Sequence, residues 1–430
     1  MTSGFPYLER SVSRGTIFHG ASQVVTCAGA ARGRRGAKMN EVGLVSDAVV
    51  AVDEGRIAAV GKLADVERMW PNADAVDCSG RVLTPGLVDS HTHALFGKPR
   101  YEEQEQRSAG AGYMEIAERG GGIHSSVRDL RSRTDDELLQ LTRNRLARLA
   151  RYGATTVEIK SGYGLSVEDE MRSLGVIAVL CRESKLRIIP TWLGAHEIPH
   201  DFRARPNGRA EYVRQVIEEQ LPRVVAERLA DFADVFCEPG AFTIDETRQI
   251  LLAARDAGMK LKMHADELEP CGGAELAAEL GVTSADHLAA ISPEGVEAIA
   301  RSDTVATLLP GTMLFLGRER QAPARSLIDA GAIVALATDF NPGTSPTPNL
   351  PLIMTLGVSQ MHMSVAEVLI ATTVNAAAAV GVADHVGQIS TGFSADLALW
   401  DCEDVREIPY WYGDARCAAT WCRGVPVHST

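Results

Sequence analysis

The chain runs to 430 residues, more than one small domain needs and enough for a barrel of about 250 residues with an appended module. Its 45% hydrophobic and 23% charged content is that of a soluble globular protein, and no apolar run approaches the roughly 18 residues that cross a bilayer. A net charge of −13 argues against a nucleic-acid partner, because a phosphate-binding surface needs clustered Lys and Arg.

The opening stretch MTSGFPYLERSVSRG lacks the charged-then-apolar layout of a secretory signal, so a cytoplasmic location is expected. The eight cysteines are scattered without a CxxC pair, which predicts free thiols that mostly fill the core. From about 15 to 82 the runs GTIFHG, VSDAVVAVDEGRIAAVGK and AVDCSGRVLTPG are short and β-branched, broken by Gly and Asp-Glu-Gly turns. They predict a small antiparallel β module. The basic run ARGRRGAKM at 31–39 lies among glycines and small residues and reads as a solvated surface insertion in that module. The same β signal returns after about 380 in VGQISTGFSADLALWD and AATWCRGVPVHS. One β-sandwich domain built from both ends of the chain, 1–83 and 381–430, is therefore expected.

Between them, 84–380 alternates short apolar strands with helix-like stretches such as TDDELLQLTRNRLARLARYG and PEGVEAIARSD. The strand candidates are VLTPGLVDS, ATTVEIKS, LRIIPTWLG, DVFCEP, KLKMHAD, TSADH, TVATLLPG and IVALATDF, eight in all. An α/β fold with eight parallel strands, each followed by a helix, is a TIM-type (β/α)8 barrel, whose active sites lie at the C-terminal strand ends.

That architecture demands reactive side chains just after the strands, and they are there. His91 and His93 follow the first strand, Lys160 and Tyr163 the second, His196 the third and Glu238 the fourth. His264 and Glu267 follow the fifth, His287 the sixth, and Asp339 and Asn341 the eighth. Alternate residues of an extended chain share a face, so His91 and His93 point the same way. Strands one, five and eight of a closed barrel all aim their last residues at the mouth, which lets His91, His93, His264 and Asp339 assemble one metal site. Three imidazoles and a carboxylate suit Zn²⁺ or Fe²⁺ and leave a position open for water, whereas Mg²⁺ or Ca²⁺ favours oxygen ligands. Each residue also has an ordinary reading, a packed strand-end histidine or an Asp opening an Asn-Pro-Gly turn. Taken together, those readings require four coincidences in one place.

The stretches PGLVDSHTH, MHADE, ADHL and TDFNPGT, with the tail TVNAAAAVG and GQISTGFSADLALWD, resemble the amidohydrolase superfamily of metal-dependent hydrolases. Within it the chain is similar to the imidazolonepropionase family over nearly its whole length. The discriminating pieces are Arg100 seven residues after His93, GGGI at 120–123, EIKSGYGL at 158–165, LGAH at 193–196 and the TDFNPGT stretch.

The resemblance implies one divalent metal per subunit, zinc or iron, held by His91, His93, His264 and Asp339. It implies a substrate pocket lined by Arg100, Tyr163, His196, Glu267, Asn341, Gly343 and Thr344, a homodimer, and the small-molecule substrate 4-imidazolone-5-propanoate of histidine degradation, with no nucleic acid or membrane. Arg100 and the Tyr163 hydroxyl could clamp the substrate carboxylate. Metal-activated water would open the ring amide C–N bond to N-formimidoyl-L-glutamate, with the metal or His287 stabilising the oxyanion. Asp339 or Glu267 would move the proton. Many amidohydrolases bridge two metals with a carboxylated lysine after the fourth strand; here that strand ends FCEPG, so one metal is implied. Lys160 is expected to support its loop, Glu197 to raise the pKa of the adjacent His196, and His124 and His200 to play no part in the site. Two other readings stay open: a sibling ring hydrolase, hydantoinase-like or an aminohydrolase, and a noncatalytic scaffold on the same barrel.

Overall fold

The computed structural model describes residues 15–111, 115, 116 and 120–429. Eight parallel strands follow one another in chain order: Leu87–Asp89, Ala154–Lys160, Arg187–Ala195, Phe232–Cys237, Lys260–Ala265, Ser284–His287, Val305–Leu308 and Ile333–Leu336. They are numbered first to eighth below. The eighth meets the first through main-chain bonds just beyond their ends, Asp339 N–H to His91 O at 3.1 Å and His93 N–H to Phe340 O at 2.9 Å. The sheet thereby becomes a barrel without a free edge. All eight strands match the sequence expectation, with one difference. The stretch VLTPGLVDS divides, Val82–Pro85 pairing in another sheet and only Leu87–Asp89 entering the barrel. Gly86 marks the change of sheet, and a Cβ there would lie 2.2 Å from Thr155.

Helices wrap the outside of the barrel, several of them through an apolar stripe. In Asp135–Arg151 the buried residues Leu138, Thr142, Leu146 and Leu149 recur at helical spacing, and Thr134 with Glu137 forms a capping box that satisfies the free amides of the first turn. The same device opens Ile244–Asp256 through Thr243 and Glu246.

Two further sheets come from the chain ends. One has four strands in the order Arg56–Lys62, Ala48–Asp53, Thr16–His19, Asp74–Asp77. The other has six, in the order Val425–Ser429, Cys417–Cys422, Leu397–Trp400, Val82–Pro85, Gln23–Val25, Leu44–Val45. Phe18, Val50, Val52 and Ile57 of the first pack against Leu83, Leu397, Leu399 and Trp421 of the second, so the two sheets share a core. Phe18 and Trp421 meet edge to face at 4.9 Å.

The run at 31–39 is not the solvated insertion its composition suggested. Gly36–Asn40 forms a short 3-10 turn with Met39 fully buried, and Arg34 is buried with its guanidinium on the carbonyls of Glu41 and Cys27. Arg35 reaches Ala300 O at 3.1 Å and Asp303 at 2.7 Å, beside the start of the eighth strand. A guanidinium tolerates burial when its fork of donors finds carbonyl partners, and only the tertiary fold supplies them.

Candidate metal and substrate site

His91, His93, His264 and Asp339 come together at the C-terminal mouth, and each is buried. The chain turns sharply where the strands end: Asp266, His287 and Asp339 have φ of 48°, 79° and 51°. Such left-handed positions in residues other than glycine carry strain and cluster at functional sites. His91 presents Nδ1 to Asp286 at 2.6 Å, and His264 presents Nδ1 to Asp234 at 3.2 Å. Burial pushes the Asp234 carboxyl up, but His264 and Lys160 override it and hold it well below the usual range. A carboxylate only accepts, so Nδ1 is the protonated nitrogen of His264 on the Asp234 side and Nε2 is the nitrogen turned to the centre.

The Nε2 atoms turn toward one another. His264 Nε2 lies 3.3 Å from His93 Nε2, and Asp339 Oδ1 lies 3.5 Å from His91 Nε2 and 3.6 Å from His93 Nε2. His91 Nε2 is buried without a hydrogen-bond partner. Candidate ligand atoms of His91, His93 and His264 lie within 4.8 Å of one another, as do those of His91, His287 and Asp339. Burial, followed by the charge of Lys160 and His264, keeps His91 well below the ordinary imidazole pKa; burial and then His196 do the same to His93. Imidazole nitrogens gathered around a carboxylate oxygen are the donors a divalent cation needs.

Beside this cluster lies a cavity lined by Arg100, Tyr163, His196, Glu267, Asn341 and Thr344, among others. Arg100 is buried, with Nη1 donating to Ser126 at 3.2 Å and Nε 3.3 Å from Glu103. Its guanidinium closes on Gly343, where a Cβ would fall 1.7 Å from Nη2. His196 Nδ1 is 2.8 Å from Gly162 O, and burial, then His264, lowers its pKa to about 3. Burial raises Asp339 to about 6, and burial followed by Asp339 and Glu238 raises Glu267 well above the carboxylate range.

The family described as the amidohydrolase family matches residues 82–427. The chain belongs to it. Within this family the imidazolonepropionase of Clostridium tetani is 45% identical over 396 residues, 92% of this chain and 93% of that protein. The imidazolonepropionase of Solibacter usitatus is 43% identical over 407 residues, 94% of this chain and 97% of that protein. An adenosine deaminase from Xanthomonas campestris with bound zinc superposes with a TM-score of 0.72 at 19% identity, covering 96% of this chain and 92% of that one. A triazine hydrolase variant reaches 0.75 at 16% identity, covering 97% and 95%. These two structures share the fold.

In this amidohydrolase several side chains stand otherwise than expected. Glu197 does not raise its neighbour: its carboxylate turns to the Ile198 amide at 2.7 Å and to Arg203, leaving burial to push His196 down. Lys160 is not a loop support but lies fully buried inside the barrel. Asn341 lines the cavity, yet its Oδ1 accepts from the Gly343 and Thr344 amides at 2.8 and 2.7 Å, and so shapes the NPGT loop. Glu238 accepts from the amides of Glu267, Leu268 and Glu269 at 2.9 to 3.1 Å, which sets the loop carrying Glu267. His287 Nε2 stands 3.7 Å from Glu267. His124 and His200 do not line the cavity; they stack on each other at 3.7 Å.

The sequence reading missed Asp234 and Asp286, which orient two of the histidines. A signal for them existed. Asp234 is a carboxylate inside the otherwise apolar strand FADVFC, and Asp286 stands inside SADH just before a strand-end histidine, places where a charge needs a partner.

Proposed function

We propose that this enzyme of the amidohydrolase family acts on 4-imidazolone-5-propanoate, adding water across the ring amide C–N bond to give N-formimidoyl-L-glutamate in histidine degradation. The observation that carries this is the placement of Arg100 on the wall of the cavity that holds the histidine cluster. A carboxylate on the substrate meets a cation there, and its ring amide meets the reactive groups.

His91, His93, His264 and Asp339 would hold one divalent cation, zinc or iron by the chemistry of the donor set. A cation there supplies Lewis acidity and lowers the pKa of a water from about 15.7 to about 7. Asp339, raised toward neutrality by burial yet still able to ionise, takes the proton of the attacking water and returns it to the leaving ring nitrogen. Oxygen that gains charge as water adds to the ring carbonyl faces His287, kept neutral by burial and then His264, and therefore able to donate one N–H. Glu267, protonated through burial, is the alternative donor to the nitrogen. Arg100 and Tyr163 clamp the carboxylate, which orients the flat ring against these groups.

The same proposal divides the chain into a barrel at 84–380 and a β-sandwich at 1–83 and 381–430, working as a homodimer in the cytoplasm. Free thiols at all eight cysteines accord with a reducing compartment. No helix of the described residues is long and apolar enough to cross a membrane.

The test is to follow the ultraviolet absorbance of freshly generated imidazolone propionate with metal-loaded protein. Turnover that falls through KM in Arg100→Ala, with metal content unchanged, supports the clamp. Turnover of a carboxylate-free cyclic amide alone would move the reading to a hydantoinase-like relative, and no turnover of either would favour a scaffold.

A further inference from the structure

The second strand carries Glu158 and Lys160 two residues apart, so both point into the barrel rather than to the helices. Neither is exposed. An isolated lysine in such a place would lose its proton, because burial penalises the ammonium. Here the burial is answered by three carboxylates, and the pKa of Lys160 ends above its ordinary value through Asp234, Glu158 and Asp286. Its Nζ lies 2.7 Å from Glu158, 2.8 Å from Asp234 and 3.7 Å from Asp286.

Two of these three carboxylates are the ones that grip histidines. Asp234, on the fourth strand, holds His264 of the fifth; Asp286, on the sixth, holds His91 just beyond the first. One ammonium thus ties together two carboxylate–imidazole pairs that reach the centre from different sides. The nearby Lys262 does not duplicate it. Lys262 Nζ lies 3.6 Å from Asp286 alone and donates to Ser90 O at 3.0 Å and Ala379 O at 3.4 Å.

We propose that Lys160 is a positioning residue for the metal centre: by fixing Asp234 and Asp286 at once, it sets the rotation and proton position of His264 and His91 so that both Nε2 lone pairs face the cation. The proposal rests on the reading of His91 and His264 as ligands and extends it to a side chain that touches neither metal nor substrate. Partners of ligating histidines set affinity by about 10–100-fold. Lys160 acts on two such partners together.

The experiment compares wild type with Lys160→Met, which keeps length and removes charge, and with Asp234→Asn and Lys160→Met/Asp234→Asn. Circular dichroism checks folding, a chelator competition reads zinc affinity, and the visible spectrum of the cobalt-substituted protein reads ligand geometry. The expected result is a folded Lys160→Met that binds zinc about 10–100-fold more weakly, with an altered cobalt spectrum and a fall in kcat at little changed KM. The double variant should lose less than the two single losses combined, since both residues act on the His264 imidazole. A folded Lys160→Met with wild-type zinc affinity and cobalt spectrum would overturn the proposal. If Lys160→Met alone fails to fold, the double variant is set against Asp234→Asn: weaker zinc binding in the double supports action through Asp286, and equal binding overturns it. Failure of both Lys160 variants to fold also overturns it, in favour of a purely structural lysine. Absence of tight zinc binding by the wild type would instead defeat the ligand reading on which the proposal stands.

Discussion

Gly343→Ala isolates the carboxylate clamp without touching a charged group. A Cβ at this position would lie 1.7, 2.1 and 2.2 Å from Nη2, Cζ and Nε of Arg100, where real Cβ contacts stay beyond 3.0 Å. The guanidinium must therefore retreat by at least about 1.3 Å. It cannot do so freely, since it is buried, bonded to Ser126 at 3.2 Å and 3.3 Å from Glu103. The backbone of Gly343 is not in the left-handed region, so the effect is steric. A hydrogen bond to a charged group contributes about 1.5–3 kcal/mol. Each ~1.4 kcal/mol is a factor of ten, so misplacing the clamp should raise KM by about 10–150-fold. Initial rates over a range of imidazolone propionate concentrations, with metal content measured on the same preparation, give the answer. Wild-type KM in a folded Gly343→Ala enzyme would refute the clamp, and loss of metal would show that the perturbation spreads beyond it.

Removal of the metal by a chelator should abolish turnover and lower the melting temperature, with zinc or iron restoring both. At a free metal concentration 100 times its dissociation constant the stabilisation is about 2.7 kcal/mol, which a thermal melt resolves. His124 provides a pH prediction away from the centre. Burial, followed by His200 and then Arg203, Arg128 and Arg131, lowers its pKa from the ordinary 6.5 to about 4. Between those values the unfolded chain binds more protons than the folded one, so stability is full above about 6.5 and is lost as the pH falls toward 4. Denaturant melts of His124→Phe, which keeps the stacking on His200, should show a shallower loss over that range than wild type. Equal slopes would refute the assignment.

The parts of the fold and site that were legible are those a single strand writes into its own residues. Apolar runs ending in His, Glu or Asp mark both the strands and the barrel mouth, and the i, i+2 spacing of His91 and His93 places them on one face. The NPGT loop carries its own turn chemistry, which Asn341 completes with its side chain. What was not legible depends on which elements meet. Asp234, Asp286 and Lys160 come from three strands, and nothing local says that one ammonium lies between two carboxylates. Arg34 looks solvated until Cys27 and Glu41 bring their carbonyls to it. Glu197 is next to His196 in the chain, but Arg203 draws its carboxylate away.

The central claim is that residues far apart in the chain, His91 and His93 on one side and His264 and Asp339 on the other, grip a single cation. X-ray absorption at the metal edge of the zinc-loaded enzyme tests it most directly. The account predicts one zinc per chain, with imidazole scattering from three histidines at about 2.0–2.1 Å and a carboxylate oxygen at about 2.0–2.2 Å. A zinc surrounded by oxygen alone, or the same spectrum in a His264→Ala variant, would contradict it.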